Sequence, residues 1–415
     1  MLHTQQAATP PATVLRPNAW RIVAAAMFVC GWGGNQFTPL LLMYRELGGY
    51  SALSVDAFLG AYVVGLVPGL LLAGPVSDRR GRRPVLVAGT VASAAASLVL
   101  CFGGLGAWPV YAGRLVTGFA VGIAMAVGSS WVKELSAGGD GTLPARRAAL
   151  CQTAGFGLGA GVAGALAQWG PLPMVTPYVV HLLLTAAVPV LLLRVPETRQ
   201  ALPRAAGLLS ALVSDLRVPA PARRRFRLVV LPMAPWVFGS AGLAYAVMPE
   251  LVGSRVGQWG LAYATGLTVL TLGMGVAVQP VARWLHGGAG TRAGRAPVAA
   301  MAVMFLGAAL CAANAVLLSP WLAALAAAVL GAAYGIAVVS GLLEIQRMAG
   351  TDDLAGLTGV YYTLAYTGFL LPAALAALAT WLSYPVMLAA VAAAALACLG
   401  LVVLGVRVTA GAHRP

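Results

Sequence analysis

A chain of 415 residues that is 60% hydrophobic and only 9% charged is too apolar for a soluble protein of this size and reads as a polytopic membrane protein. Its net charge of +15 would suit a nucleic-acid binder only if the basic residues shared one face of a soluble domain. Here they punctuate apolar runs, so no nucleic-acid partner is expected. Cys30, Cys101, Cys151, Cys311 and Cys398 all fall inside apolar runs with no CxxC pair and no histidine cluster, which supports neither a disulfide framework nor a metal site.

In chain order, residues 1–18 are polar and Pro-containing, without the basic region, short apolar core and cleavage site of a signal peptide, so the first apolar run is expected to be retained. Twelve runs follow, each long enough for about 30 Å of hydrocarbon: 20–44, 54–74, 84–102, 108–131, 148–167 and 173–193, then 228–248, 259–282, 296–318, 320–343, 354–380 and 385–406. They are numbered here as spans one to twelve. With both termini inside, every cationic residue except Arg45, Arg114 and Arg255 falls on the cytoplasmic side. Random scatter between helices would give near parity, so the bias supports the count and the orientation.

Between spans two and three lies Gly74-Pro-Val-Ser-Asp78-Arg79-Arg80-Gly81-Arg82-Arg83-Pro84. So polar a stretch is expected as a tight loop at the membrane surface. Positive-inside placement accounts for its arginines but not for Asp and Gly at these offsets. The stretch resembles the G-x-L-A-D-R-x-G-R-R/K-x-x-L signature of the major facilitator superfamily through Gly74, Asp78, Arg79, Gly81, Arg82, Arg83 and Leu86. The opening of the polar break at 194–227, Val195-Pro196-Glu197-Thr198-Arg199, resembles the P-E-T/S motif with which many members end their sixth span.

The resemblance implies an all-α membrane protein of twelve transmembrane helices in two six-helix, pseudo-symmetric bundles, residues 1–193 and 228–415, joined by a cytoplasmic linker over 194–227. Residues 208–216 of the linker have the pattern of a short amphipathic helix on anionic lipid. Internal similarity agrees with two halves. Gly118 and Gly122 recur as Gly331 and Gly335, and Gly155-Phe156 as Gly368-Phe369, at one shared offset. Gly118, Gly122, Gly155, Gly159, Gly331 and Gly335 are expected at close helix contacts.

For a cavity, Arg114 in span four is foremost, since a cation within a membrane helix needs water, substrate or counter-charge unless it snorkels to the surface. Arg114-Leu-Val-Thr-Gly118 resembles the superfamily's span-four pattern, whose arginine is linked to substrate or proton handling. Span one offers Asn35 and Gln36 but no acid, whereas many antiporters of the superfamily carry a carboxylate there. Gln152, Tyr178, Trp236, Tyr245, Tyr263, Asn314, Tyr334, Tyr362 and Tyr366 are further polar or aromatic candidates for the cavity. For His181 two readings stand, a proton carrier near neutral pH or a helix histidine satisfied by a neighbouring carbonyl. Glu250 is read as an interfacial charge or a proton acceptor. This set suits a neutral or anionic, partly aromatic ligand.

Span five, Gly155 to Gly164, partly matches the antiporter signature ending G-P-x-x-G-G, with Ala160 for the proline and Ala163 for a glycine. For gating, Arg79 or Arg82 is expected to pair with Asp352 or Asp353 at the start of span eleven, and Glu134 with Arg146 or Arg147. No H-E-x-x-H, phosphate-binding loop or paired intramembrane aspartates occurs, so neither an enzyme nor a cofactor is expected. The expected function is proton-coupled efflux of a small organic molecule by a monomer in the cell membrane, both termini cytoplasmic. The alternative is import or facilitated passage of a small neutral or anionic solute on the same fold.

Overall fold

The computed structural model describes residues 18–136, 142–199, 218–286, 294–348 and 354–410. Among them no strand occurs, and all twelve apolar runs are helical. Hydrocarbon offers no partner for backbone N–H and C=O groups, and helices satisfy both internally.

Nine helical runs among the described residues are long and apolar enough to cross a membrane. The number falls below twelve because some spans are joined and others broken. The run Ala220–Leu285 has 66 residues, about 100 Å at 1.5 Å per residue, far more than one crossing needs. It turns back at Gly257, whose φ of +53° is open to glycine without Cβ strain, and so holds spans seven and eight. Span one is divided into Ala19–Asn35, a 3-10 turn at Thr38–Leu40 and Leu41–Glu46, because Pro39 lacks an N–H and its ring crowds the preceding turn. Span six, Thr176–Leu192, breaks at Ala187, ahead of Pro189.

The stretch expected as a loop over 74–84 is mostly helix. Span two runs Ala52–Arg80 with Pro68 and Pro75 inside it, and span three is Arg82–Leu100. Only Gly81, with φ +95°, separates them. Glu197 makes so short a turn possible: its carboxylate accepts from the backbone N–H of Arg82 at 2.8 Å and of Arg83 at 2.9 Å. An anionic group thereby satisfies orphan donors at the positive end of span three.

The remaining spans are Ala107–Leu135 (four), Thr142–Trp169 (five), Arg295–Leu317 (nine), Pro320–Met348 (ten), the broken helix Leu354–Tyr366 and Leu370–Leu378 (eleven) and Tyr384–Ala410 (twelve). The six expected packing glycines all sit at tight crossings. A Cβ at Gly118 or Gly122 would strike the span-two backbone near Tyr62 and Leu66, and one at Gly331 or Gly335 would strike span eight at Thr271 and Gly275. At Gly155 and Gly159 it would meet Phe28 and Trp32 of span one, while Gly368 makes the equivalent approach to Pro235 and Gly239 of span seven. The same contacts thus recur at corresponding places in the two parts of the chain.

Asp352 and Asp353, the amphipathic stretch at 208–216, and the side chain of Arg146 lie outside the described residues.

Candidate functional site

Helix breaks converge on one buried cavity. Asn35 and Thr38 flank the interruption of span one, Tyr245 lies in a π-helical turn at Leu243–Val247 of span seven, and Tyr366 and Phe369 bracket the 3-10 turn of span eleven. These residues line the cavity with Gly34, Leu59, Tyr62, Arg114 and Phe156 on one side and Phe238, Leu272 and Tyr334 on the other. The walls therefore come from spans one, two, four and five and from seven, eight, ten and eleven. The cavity measures about 30 Å³, room for one or two waters.

Arg114 is its charged feature. The side chain is 1% exposed, its guanidinium carbon lies 4.5 Å from the ring centroids of both Phe37 and Tyr62, and it donates to the carbonyls of Gly34 at 3.2 Å and Phe58 at 3.4 Å. Among the described residues no carboxylate forms an ion pair with it. Two faces of the cation are held by aromatic quadrupoles, and two of its five N–H donors are used. The guanidinium is thereby fixed in place with donors to spare for an anion. Snorkelling to the surface, the other reading, does not occur.

Opposite Arg114 stands an aromatic wall. Phe238 stacks on Tyr366 with centroids 4.0 Å apart and planes at 19°, and on Phe369 at 4.8 Å. Tyr62 meets Tyr366 edge-on at 6.2 Å, joining the two sides of the cavity. Asn35 is oriented by donating to Phe156 O at 3.0 Å and accepting from Thr38 at 2.7 Å.

Of the residues expected in the cavity, Arg114, Asn35, Tyr245, Tyr334 and Tyr366 line it. Tyr362 lies one layer behind, against Tyr361 and Tyr366. Gln36, Gln152 and His181 are elsewhere. Gln36 donates to Ser97 of span three at 3.0 Å, and Gln152 packs on Gly31 with neither amide atom bonded among the described residues. His181 sits against the Ser97 hydroxyl at 2.7 Å and donates from Nε2 to Val29 O at 2.9 Å. The ring is closed in by spans one, three and six, which is the satisfied-histidine reading. Phe238 is not singled out by the sequence, and Phe369 enters there only through the repeated Gly-Phe pair; its further clue is period, since it follows Tyr362 and Tyr366 at helical spacing on one face.

The signature end carries a second polar cluster. Arg82, deeply buried, binds Glu134 at 2.8 Å and Asp78 at 2.9 Å and donates to Ser77. Thr198 donates to Glu134, and Arg199 lies 3.3 Å from Asp78. Arg82 thus binds the ends of spans two and four and Glu134 takes Arg82, while Arg147 donates to Ser136 and stacks on Trp20; Asp352, Asp353 and the side chain of Arg146, the other expected partners, lie outside the described residues. Asp78 and Arg82 meet across the break at Gly81, which aims Arg82 at span four. Arg79 is half-buried on the last turn of span two, and Arg83 donates to Leu193 O at 3.1 Å. A comparable cluster, unforeseen from sequence, joins spans seven, ten and twelve: Arg225 binds fully buried Glu344 through Nε at 2.5 Å and Nη2 at 2.8 Å and donates from Nη1 to Thr409.

At the opposite end, Arg45 binds Glu250 at 2.7 Å, while Gln168 donates to Gln258 O at 3.1 Å and accepts from Ala262 N at 2.8 Å. These contacts tie spans one and five to spans seven and eight beyond the cavity.

Comparison with known proteins agrees with this geometry. Over 124 residues the chain is 33% identical to the gallate transporter of Pseudomonas putida, a stretch that makes up 29% of this chain and 26% of that protein. A POT family transporter solved with 5-aminolevulinic acid superposes with a TM-score of 0.76 over 94% of this chain and 96% of its own at 12% identity. A mutant of the nucleoside transporter NupG superposes with 0.73 over 94% and 100% at 13% identity. The fold is shared across that divergence, and the family model of the Major Facilitator Superfamily matches residues 21–373, so this multi-pass membrane protein belongs to the Major Facilitator Superfamily.

Proposed function

We propose that the chain moves a small, partly aromatic organic anion across the cell membrane by alternating access, coupled to protons. The observation that carries this reading is Arg114: a buried cation with no ion-pair partner among the described residues, held between two aromatic rings beside an aromatic wall. A carboxylate would take its unused donors and a ring would extend the Phe238–Tyr366 stack. The partial likeness to a gallate transporter supports an aromatic carboxylate. Residues 1–193 and 228–415 act as two rocking bundles joined by 194–227 in a monomer, with Asn35, Arg114, Tyr245 and Tyr366 as substrate contacts. The arginine bias puts the signature end and both termini in the cytoplasm, which makes the Arg45–Glu250 end the outer one. A cavity of about 30 Å³ is too small for such a solute, so loading requires the walls to part.

For direction, the partial span-five signature supports efflux in exchange for protons. The cationic cavity favours the second reading, uptake: an inside-negative potential opposes anion entry by about 2.3 kcal/mol per charge per 100 mV, which a co-transported proton cancels. Purified protein in liposomes containing a pH dye tests both readings, with radiolabelled gallate and 4-hydroxybenzoate as probes and Asp78→Asn as control. Accumulation driven by a pH gradient is expected. Transport of a cationic dye that survives Arg114→Ala, without uptake of either carboxylate, would overturn the proposal.

A further inference from the structure

Asp56, in the second turn of span two, is 6% exposed, and among the described residues no donor hydrogen-bonds it and no cation lies within ion-pair distance. Such a bare buried carboxylate is costly when charged. It shares a second small cavity with Arg45 and Glu250, the outer ion pair, and with Tyr245, which also lines the central cavity. The group thus shares a cavity with the contact that closes the outer end, and Thr38 and Tyr245 line both that cavity and the central one.

Among the described residues the charges around it are few. Arg45 comes from the end of span one, beside exposed Glu46, and Glu250 from span seven, whose Arg255 is exposed. Tyr384 of span twelve reaches Glu250 at 3.4 Å, Tyr245 faces it from the π turn, and Leu370–Leu378 carries nothing titratable. With Arg45 and Glu250 paired, the cluster is neutral when Asp56 holds a proton and carries one negative charge when it does not. Closing the outer end removes water from that charge, so the closed arrangement suits the protonated acid and the open one the carboxylate.

We propose that Asp56 is the residue at which the transport cycle takes up its proton from outside, and that its protonation permits Arg45 and Glu250 to close the outer end. This rests on the proton-coupled reading above. The test is electron–electron resonance distance measurement on the full chain in nanodiscs. Spin labels at Leu47 and Gln258, both exposed, are placed on a background with the five cysteines replaced by alanine. The short-distance population is expected to rise about twofold or more between about pH 8 and about pH 5.5. Asp56→Asn should stay in the short-distance state at both, and Asp56→Glu should regain the response, which a merely structural role would not restore. A wild type without a pH response, or an Asp56→Asn protein with the wild-type response, overturns the assignment. The liposome dye reports separately: a response that depends on Asp56 without net proton movement would retire the coupled-transport reading and keep Asp56 as a proton-binding residue of the outer gate.

Discussion

Glu344 and Arg225 allow a quantitative prediction because the two partners are unequally buried. The Glu344 side chain is fully buried and that of Arg225 is 19% exposed, and the pair is bidentate with Thr409 as a further acceptor. Breaking a buried pair costs about 3–5 kcal/mol, because one charge is left behind without a partner. Glu344→Gln leaves Arg225 with some water, Thr409 and a neutral amide, so its cost falls near the lower figure, about 3 kcal/mol. Arg225→Met strands the wholly buried carboxylate with Arg347, 3.7 Å away, as its one ion-pair partner among the described residues, and falls near the upper, about 5 kcal/mol. Arg225→Met with Glu344→Leu removes both charges and should cost no more than about 1 kcal/mol, since apolar replacements of buried pairs are often neutral or better. Unfolding in mixed micelles with increasing SDS, followed by tryptophan fluorescence, measures all four proteins as a double-mutant cycle. A double variant as unstable as the two single losses added together would refute the reasoning, as would Glu344→Gln costing more than Arg225→Met.

Three further outcomes are expected. Gly118→Leu or Gly335→Leu forces a side chain into a facing helix backbone and should destabilise by about 1–3 kcal/mol, while Gly157→Leu and Gly266→Leu, where nothing lies within 4 Å of an added Cβ, should leave the monodisperse fraction after heating unchanged. Glu197→Gln keeps the shape of the span-three cap but loses its charge, and about 1 kcal/mol of stability should go with it; an unchanged unfolding midpoint would remove Glu197 from the explanation of the Gly81 turn. Arg82→Gln and Glu134→Gln break one and the same buried cluster, so liposome uptake of gallate should fall similarly in both and no further in the double variant. Additive losses would mean that the two residues act separately.

Much of the architecture is legible in the sequence because bilayer thickness imposes a length on every span and arginines mark one side. The packing glycines could be read too, since only a missing side chain lets helices approach at Gly118 and Gly335. Interruptions were harder. The segment before Gly81 reads as a loop by polarity, yet stays helical because Ser77, Asp78 and Glu134 satisfy Arg82 within the bundle. Polar residues in spans look alike in one dimension: Arg114 faces a cavity, whereas His181 and Gln36 meet neighbouring helices through Ser97, and only tertiary packing separates those cases. Asp56 and Glu344 lie at span ends, where a charge reads as interfacial. Glu344 is buried against Arg225, far along the chain, and Asp56 beside Tyr245 and Glu250 of span seven.

The central claim is that Arg114 and the aromatic wall form the binding site for an aromatic carboxylate. Isothermal titration of purified protein with gallate, comparing wild type with Arg114→Gln, tests it most directly. A charge-assisted hydrogen bond is worth about 1.5–3 kcal/mol, so the account predicts weakening by about 10- to 150-fold with the unfolding midpoint little changed. Equal affinity in the two proteins would contradict it.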